Sequence, residues 1–136
     1  MKQNEIYFFK AVFVIAAIWN LIGAFFGYFN TNYTFFNFFN RELTDPLVHA
    51  IYQGSWGTTF VYFFGYLIVA YNPLKHTGIV IVGGIGKIGF AIKLLQLYQA
   101  GLANPVVFIV IVGDAIFSIL FLLYFYRLYK RKENII

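Results

Sequence analysis

Four stretches of about twenty residues, nearly free of charge, leave this chain few folds to choose from. They fall at 8–29, 47–71, 76–98 and 105–127. A bilayer-spanning helix needs roughly 20 predominantly apolar residues. In each stretch Ile, Leu, Val and Phe surround the whole helical circumference instead of marking one stripe, which is the pattern of helices solvated by lipid. Charged residues make up 11% of the chain, against about 25% in soluble domains. So little polar surface cannot coat a water-soluble globule. That excludes an ordinary soluble enzyme, a disordered tail and a nucleic-acid-binding domain. The sequence predicts an all-α polytopic membrane protein, one integral domain over 1–136. Its four transmembrane helices would form an antiparallel bundle, because short connections make successive helices neighbours.

The first stretch, at about 22 residues, is longer than the roughly 7–15-residue apolar core of a signal peptide. It also lacks a clean small-residue cleavage site, so it reads as a retained helix. Orientation follows from Lys and Arg in the short loops. With both termini on one side, that side holds Lys2, Lys10, Lys75, Arg127, Lys130, Arg131 and Lys132, and the other holds Arg41. Both termini are therefore expected in the cytoplasm, with the protein in a plasma or inner membrane. The net charge of +5 is mostly topology. The tail from Arg127 to Lys132 suits anionic headgroups.

One connection is long. Residues 30–45 continue an aromatic run that begins at Tyr28 and is interleaved with Asn and Thr. Aromatic rings with polar neighbours favour the membrane interface. This segment is expected on the outer surface, either as an anchor or as a lid over an outward-facing cavity. Thr44-Asp45-Pro46 then reads as a helix start, a capping side chain followed by proline.

The polar groups inside the spans carry the functional information. A charge at a helix centre costs about 2.5–3.5 kcal/mol on insertion scales. Lys87 lies about 14 residues before the turn near residue 101 and Asp114 about 13 after it, so at about 1.5 Å per residue they share a mid-membrane depth. The expectation is an ion pair across an antiparallel hairpin. Asn20 and Gln53 sit roughly 10–12 Å below the outer ends of their helices, slightly outward of the pair. His49, Gln53 and Trp56 share one face of the second span, at i, i+4 and i+7. Asp45 is placed to orient the His49 ring, and His49 is a candidate proton carrier at the outer mouth. Lys87, Asp114, Asn20, Gln53, His49 and Trp56 are thus the candidate ligand or ion site. Gly23 and Gly27 form a GxxxG face suited to close helix contact, including self-association.

The run from Gly84 to Gly89 matches GxGxxG, but the dinucleotide motif needs a preceding strand and a soluble βαβ unit. These glycines read instead as packing, with room beside Lys87 and a possible break in the third helix of the kind transporters use. Two histidines on opposite sides and five scattered acidic residues make no metal-ligand cluster. No nucleophile–base–acid set can be read from spacing. No catalytic residue, metal or cofactor is expected.

Gly65-Tyr66-Leu67 with Asn72-Pro73, the segment Gly83 to Lys87, and Gly113-Asp114-Ala115-Ile116-Phe117 resemble small bacterial four-helix membrane proteins of the DoxX-like kind. The similarity covers about residues 60–125. It implies a four-helix bundle and association with redox or transport systems, and it assigns no role to any residue here.

Three functions remain open. The first is binding or transport of a small solute, ion or proton at the mid-membrane site. An anion would displace Asp114 from Lys87, and a cation or proton would compete with Lys87 for Asp114. The second is a non-catalytic accessory subunit of a larger membrane complex, with a structural Lys–Asp pair. The third is a membrane enzyme acting on lipid or quinone. The expected partners are the bilayer and either a second copy of the chain or a membrane-complex subunit, and no nucleic acid.

Overall fold

Asp45 starts the longest helix. Its carboxylate accepts hydrogen bonds from the amides of Leu47 (2.8 Å) and Val48 (3.1 Å), and Pro46 occupies the first helical position, where no amide proton is needed. The Asp45 side chain thus caps the helix, as its place before Pro46 predicts, and forms no hydrogen bond to the His49 ring among the described residues. Asp45→Ala should cost about 1 kcal/mol. An unchanged unfolding midpoint in denaturant would count against this cap.

The computed structural model describes residues 1–130, so Arg131 and Lys132 lie outside the described residues. Five helices follow in order: α1 (Gln3–Gly27), α2 (Thr31–Phe39), α3 (Pro46–Tyr71), α4 (Thr77–Gln99) and α5 (Phe108–Lys130). A single 3-10 turn, Pro105–Val107, leads into α5. No strand occurs among the described residues. Helix ends are set locally. Asn40 stops α2 in the left-handed region at φ 51°, which Asn tolerates, and Gly101 turns the chain after α4 at φ 71°.

Helices α1, α4 and α5 (with its leading 3-10 turn) are long and apolar enough to cross a membrane. Helix α3 has the length, 26 residues, or about 39 Å, but not the same apolarity. The part of it up to residue 59 carries His49, Gln53, Ser55, Thr58 and Thr59. The outward faces of the long helices are apolar, with Ile15 and Phe25 on α1, Ile85 and Ile92 on α4, and Ile116 and Leu122 on α5 all exposed.

The long helices run in the order α1, α3, α4, α5 around the bundle. Helix α1 lies chiefly on α3 and α4 on α5, while the α1 and α5 backbones meet only at a narrow seam. Two apolar cores form. One, at the end holding the N-terminus, gathers Phe9, Phe13, Tyr66, Phe121 and Tyr124. There the Tyr124 hydroxyl donates to the Pro73 carbonyl, and Glu5 pairs with Arg127 at 3.4 Å. The other core, beneath α2, gathers Phe38, Trp56, Leu94 and Val107.

Helix α2 is tied down across this second end. Thr31 and Thr34 hydroxyls donate to the Tyr28 and Phe26 carbonyls at the end of α1. Asn104 donates from its amide to Phe38 O (2.7 Å) and from Nδ2 to Asn37 O (2.9 Å), satisfying carbonyls that the helix end leaves open.

The Gly23–Gly27 face lies inside the chain. A Cβ on Gly27 would stand 1.9 Å from Trp56 Cδ2, and one on Gly23 3.3 Å from Thr59 Cγ2. Close packing was legible, but its partner is α3 of the same chain rather than a second copy. Helix α4 runs unbroken through its glycines.

Candidate polar site at the base of a roofed cavity

Between the two cores three of the four long helices turn a polar side chain inward. Asn20 follows the buried Ala16 and Ala17 on α1, Lys87 lies between buried Gly83 and Ala91 on α4, and Asp114 between buried Val107 and Phe117. Lys87 Nζ donates to Asp114 Oδ1 at 2.7 Å and to Asn20 Oδ1 at 2.9 Å. Its charge also faces the rings of Phe117 (5.3 Å) and Tyr66 (5.7 Å), within cation–π range. Asp114 Oδ1 takes a second bond, from Trp19 Nε1 at 3.0 Å. Asn20 Nδ2 donates to the Thr59 carbonyl of α3 (3.1 Å), so the amide joins α1 to both α3 and α4. The Ser118 hydroxyl bonds the Asp114 carbonyl.

Lys87 and Asp114 are 7% and 5% exposed, a depth at which an unpaired charge would be prohibitive and a paired, hydrogen-bonded one persists. The cluster is nevertheless not saturated. An ammonium has three protons, and two are used. Asp114 Oδ2 accepts no hydrogen bond among the described residues, and neither does the hydroxyl of fully buried Tyr66 have a partner. Tyr66 Oη occupies the space opposite Gly83, 2.5 Å from where a Cβ there would be.

These free valences meet a cavity of about 570 Å³, within the roughly 300–1,000 Å³ range of small-ligand sites. Its base is Lys87, Asp114, Asn20 and Tyr66; its walls include Trp19, Trp56, Thr58, Thr59 and Phe90; its roof is Tyr33, Thr34, Asn37 and Phe38 of α2. Helix α2, from the long connection, therefore lines a cavity. Much of the polarity that separates α3 from the other long helices, Ser55, Thr58 and Thr59, lines this wall.

Of the six candidates from sequence, the structure brings together Lys87, Asp114, Asn20 and Trp56 around the cavity. Gln53 and His49 stand apart. Gln53 Nε2 donates to the Tyr28 carbonyl (3.1 Å), pinning the end of α1 to α3. His49 is half-buried and makes no hydrogen bond among the described residues. Trp56 Nε1 and the Tyr52 hydroxyl, one turn apart, are buried without an aligned partner. Sequence reasoning missed Trp19 and Tyr66. The signal for each was a ring with one polar atom inside a long apolar stretch, since a buried indole N–H or phenol usually finds a partner.

Trp19 lies flat on α5. A Cβ on Gly113 would stand 2.1 Å from Trp19 Cζ2, so the residue before Asp114 must be glycine for the indole to reach the carboxylate. Comparison of the chain with protein-family models, with curated proteins and with solved structures gives no match.

Proposed function

We propose that the chain is a four-span membrane protein that binds, and on release to the other side transports, a small molecule at the Lys87–Asp114–Asn20 cluster. The observation that carries this reading is the cavity reaching a buried, incompletely satisfied charge pair. A pair that served only to fix helix register would be expected to be packed over, since the interior of a protein leaves few voids larger than water. The polarity of α3 faces this cavity, which supports α3 as a fourth span with its polar side turned away from lipid. The loop distribution of Lys and Arg supports cytoplasmic termini in a plasma or inner membrane, and so an outer position for α2.

One observation favours the accessory-subunit reading. The pair is closed at 2.7 Å and held by two further side chains, as a structural pair would be.

Native mass spectrometry of the protein released from nanodiscs separates the two. The wild type should carry a bound small molecule. Gly86→Phe should lose it with the fold intact, because Gly86 lines the cavity and nothing lies within 4 Å of a Cβ there. A wild type and a Gly86→Phe variant that behave alike, each without a small ligand and with a co-purifying subunit, would favour the accessory role.

A further inference from the structure

We infer that the ligand is an amphiphile drawn from the bilayer, with an apolar body and one uncharged head that both donates and accepts a hydrogen bond, such as an alcohol or a primary amide. This rests on the small-molecule reading above. The charge balance at the base selects the head. Lys87 and Asp114 cancel within 2.7 Å. An anionic head could reach the ammonium fully only by displacing Asp114, and a cationic head could take the carboxylate only by displacing Lys87. Either leaves a buried charge without its partner, the costly case for such pairs.

A neutral head requires no displacement. Asp114 Oδ2 accepts from it, while the third Lys87 proton and the Tyr66 hydroxyl both donate to its oxygen. Each of these three side chains is at least nine-tenths buried, and all three line the cavity.

The walls select the body. Between base and roof the cavity presents Phe26, Phe38, Trp56 and Phe90, and the lining is overwhelmingly apolar. The route in follows from the bundle. At the narrow seam, Ile22 of α1 and Ile109 of α5 both line the cavity and are 48% and 64% exposed, so the opening on this side is apolar and faces sideways, while exposed Ser55 and Thr58 of α3 line the opposite wall. The roof, by contrast, is bonded shut by Thr31, Thr34 and Asn104. A solute arriving from water would have to break that roof, whereas a lipid-soluble one would not.

The chain has two tryptophans, and both line the cavity, so their fluorescence reports its occupancy. Three brominated quenchers of one chain length, bromodecanol, bromodecanesulfonate and bromodecyltrimethylammonium, would be titrated into nanodiscs and compared by mole fraction in the lipid. Bromodecanol should quench saturably, with a midpoint at least tenfold below that of either charged probe. Tyr66→Phe, which keeps the ring, should raise that midpoint several-fold. If the sulfonate or the ammonium saturates as tightly as the alcohol, the head-group inference is overturned while the binding site stands. If Tyr66→Phe leaves the alcohol midpoint unchanged, the head does not sit at this base. If all three probes quench only in linear proportion to their concentration, both the inference and the small-molecule reading fail.

Discussion

Lys87→Met should destabilise the protein by about 3–5 kcal/mol, and Lys87→Met combined with Asp114→Leu should recover most of that loss. The single change leaves a carboxylate of 5% exposure with only the Trp19 indole to stabilise it. Asp114→Leu alone leaves the ammonium with one neutral amide acceptor, Asn20, and two ring faces. The double change removes both charges and fills the gap with apolar groups. That exchange is often neutral or stabilising for buried pairs, and it also removes the insertion cost of two charges in mid-span. Unfolding curves for the four proteins, wild type, two singles and the double, give the coupling directly. A double variant as unstable as the worse single would mean that the two residues do not stabilise each other. The same double variant separates folding from function. If the pair exists for binding, the double variant should stay folded and lose saturable quenching. If it exists for architecture, there is no binding to lose.

How much of this was legible in the sequence depends on the range of the interaction. The Lys87–Asp114 contact could be read because a hairpin converts equal offsets from its turn into equal depth, and Asn20 could be placed at a similar depth. The helical character of the stretches and their apolar outward faces follow from composition alone. Less legible was anything decided by a choice among neighbours. Gly23 and Gly27 announce close packing but not whose side chain approaches, and Trp56 of the same chain does. Asp45 had two candidate partners, and its carboxylate bonds the backbone amides of Leu47 and Val48, not the His49 ring. One phenol hardly moves the hydropathy average of a twenty-residue stretch, so the Tyr66 hydroxyl was invisible until α3 was packed against α4. The cavity itself belongs to no segment. It arises because α1 pairs with α3, α4 pairs with α5, and the two pairs leave a seam that no local pattern encodes.

Gly113→Ala tests the packing that supports the site, and it should be among the most damaging single-methyl additions in the chain. The new Cβ would stand 2.1, 2.6 and 2.7 Å from Trp19 Cζ2, Cη2 and Cε2, where van der Waals contact needs well over 3 Å. An indole ring cannot bend away from three such contacts, so either α1 shifts from α5 or the ring leaves. If the ring leaves, the 3.0 Å bond from Nε1 to Asp114 goes with it, and the carboxylate loses one of its two donors to Oδ1. Overpacking costs about 1–3 kcal/mol and a hydrogen bond to a charged group is worth about 1.5–3 kcal/mol, so a net loss of about 2–4 kcal/mol is expected. Helix propensity works the other way, since alanine is favoured over glycine by about 1 kcal/mol. Gly89→Ala isolates that opposing effect, because nothing lies within 4 Å of a Cβ at Gly89. It should be neutral or slightly stabilising. Combining Gly113→Ala with Trp19→Leu should recover the steric part of the loss but not the part due to the missing indole donor, leaving a protein between the wild type and the single variant. If Gly113→Ala matches Gly89→Ala in stability, and its Trp19 emission is unchanged, then the indole does not lie on α5 and Asp114 is not held as described.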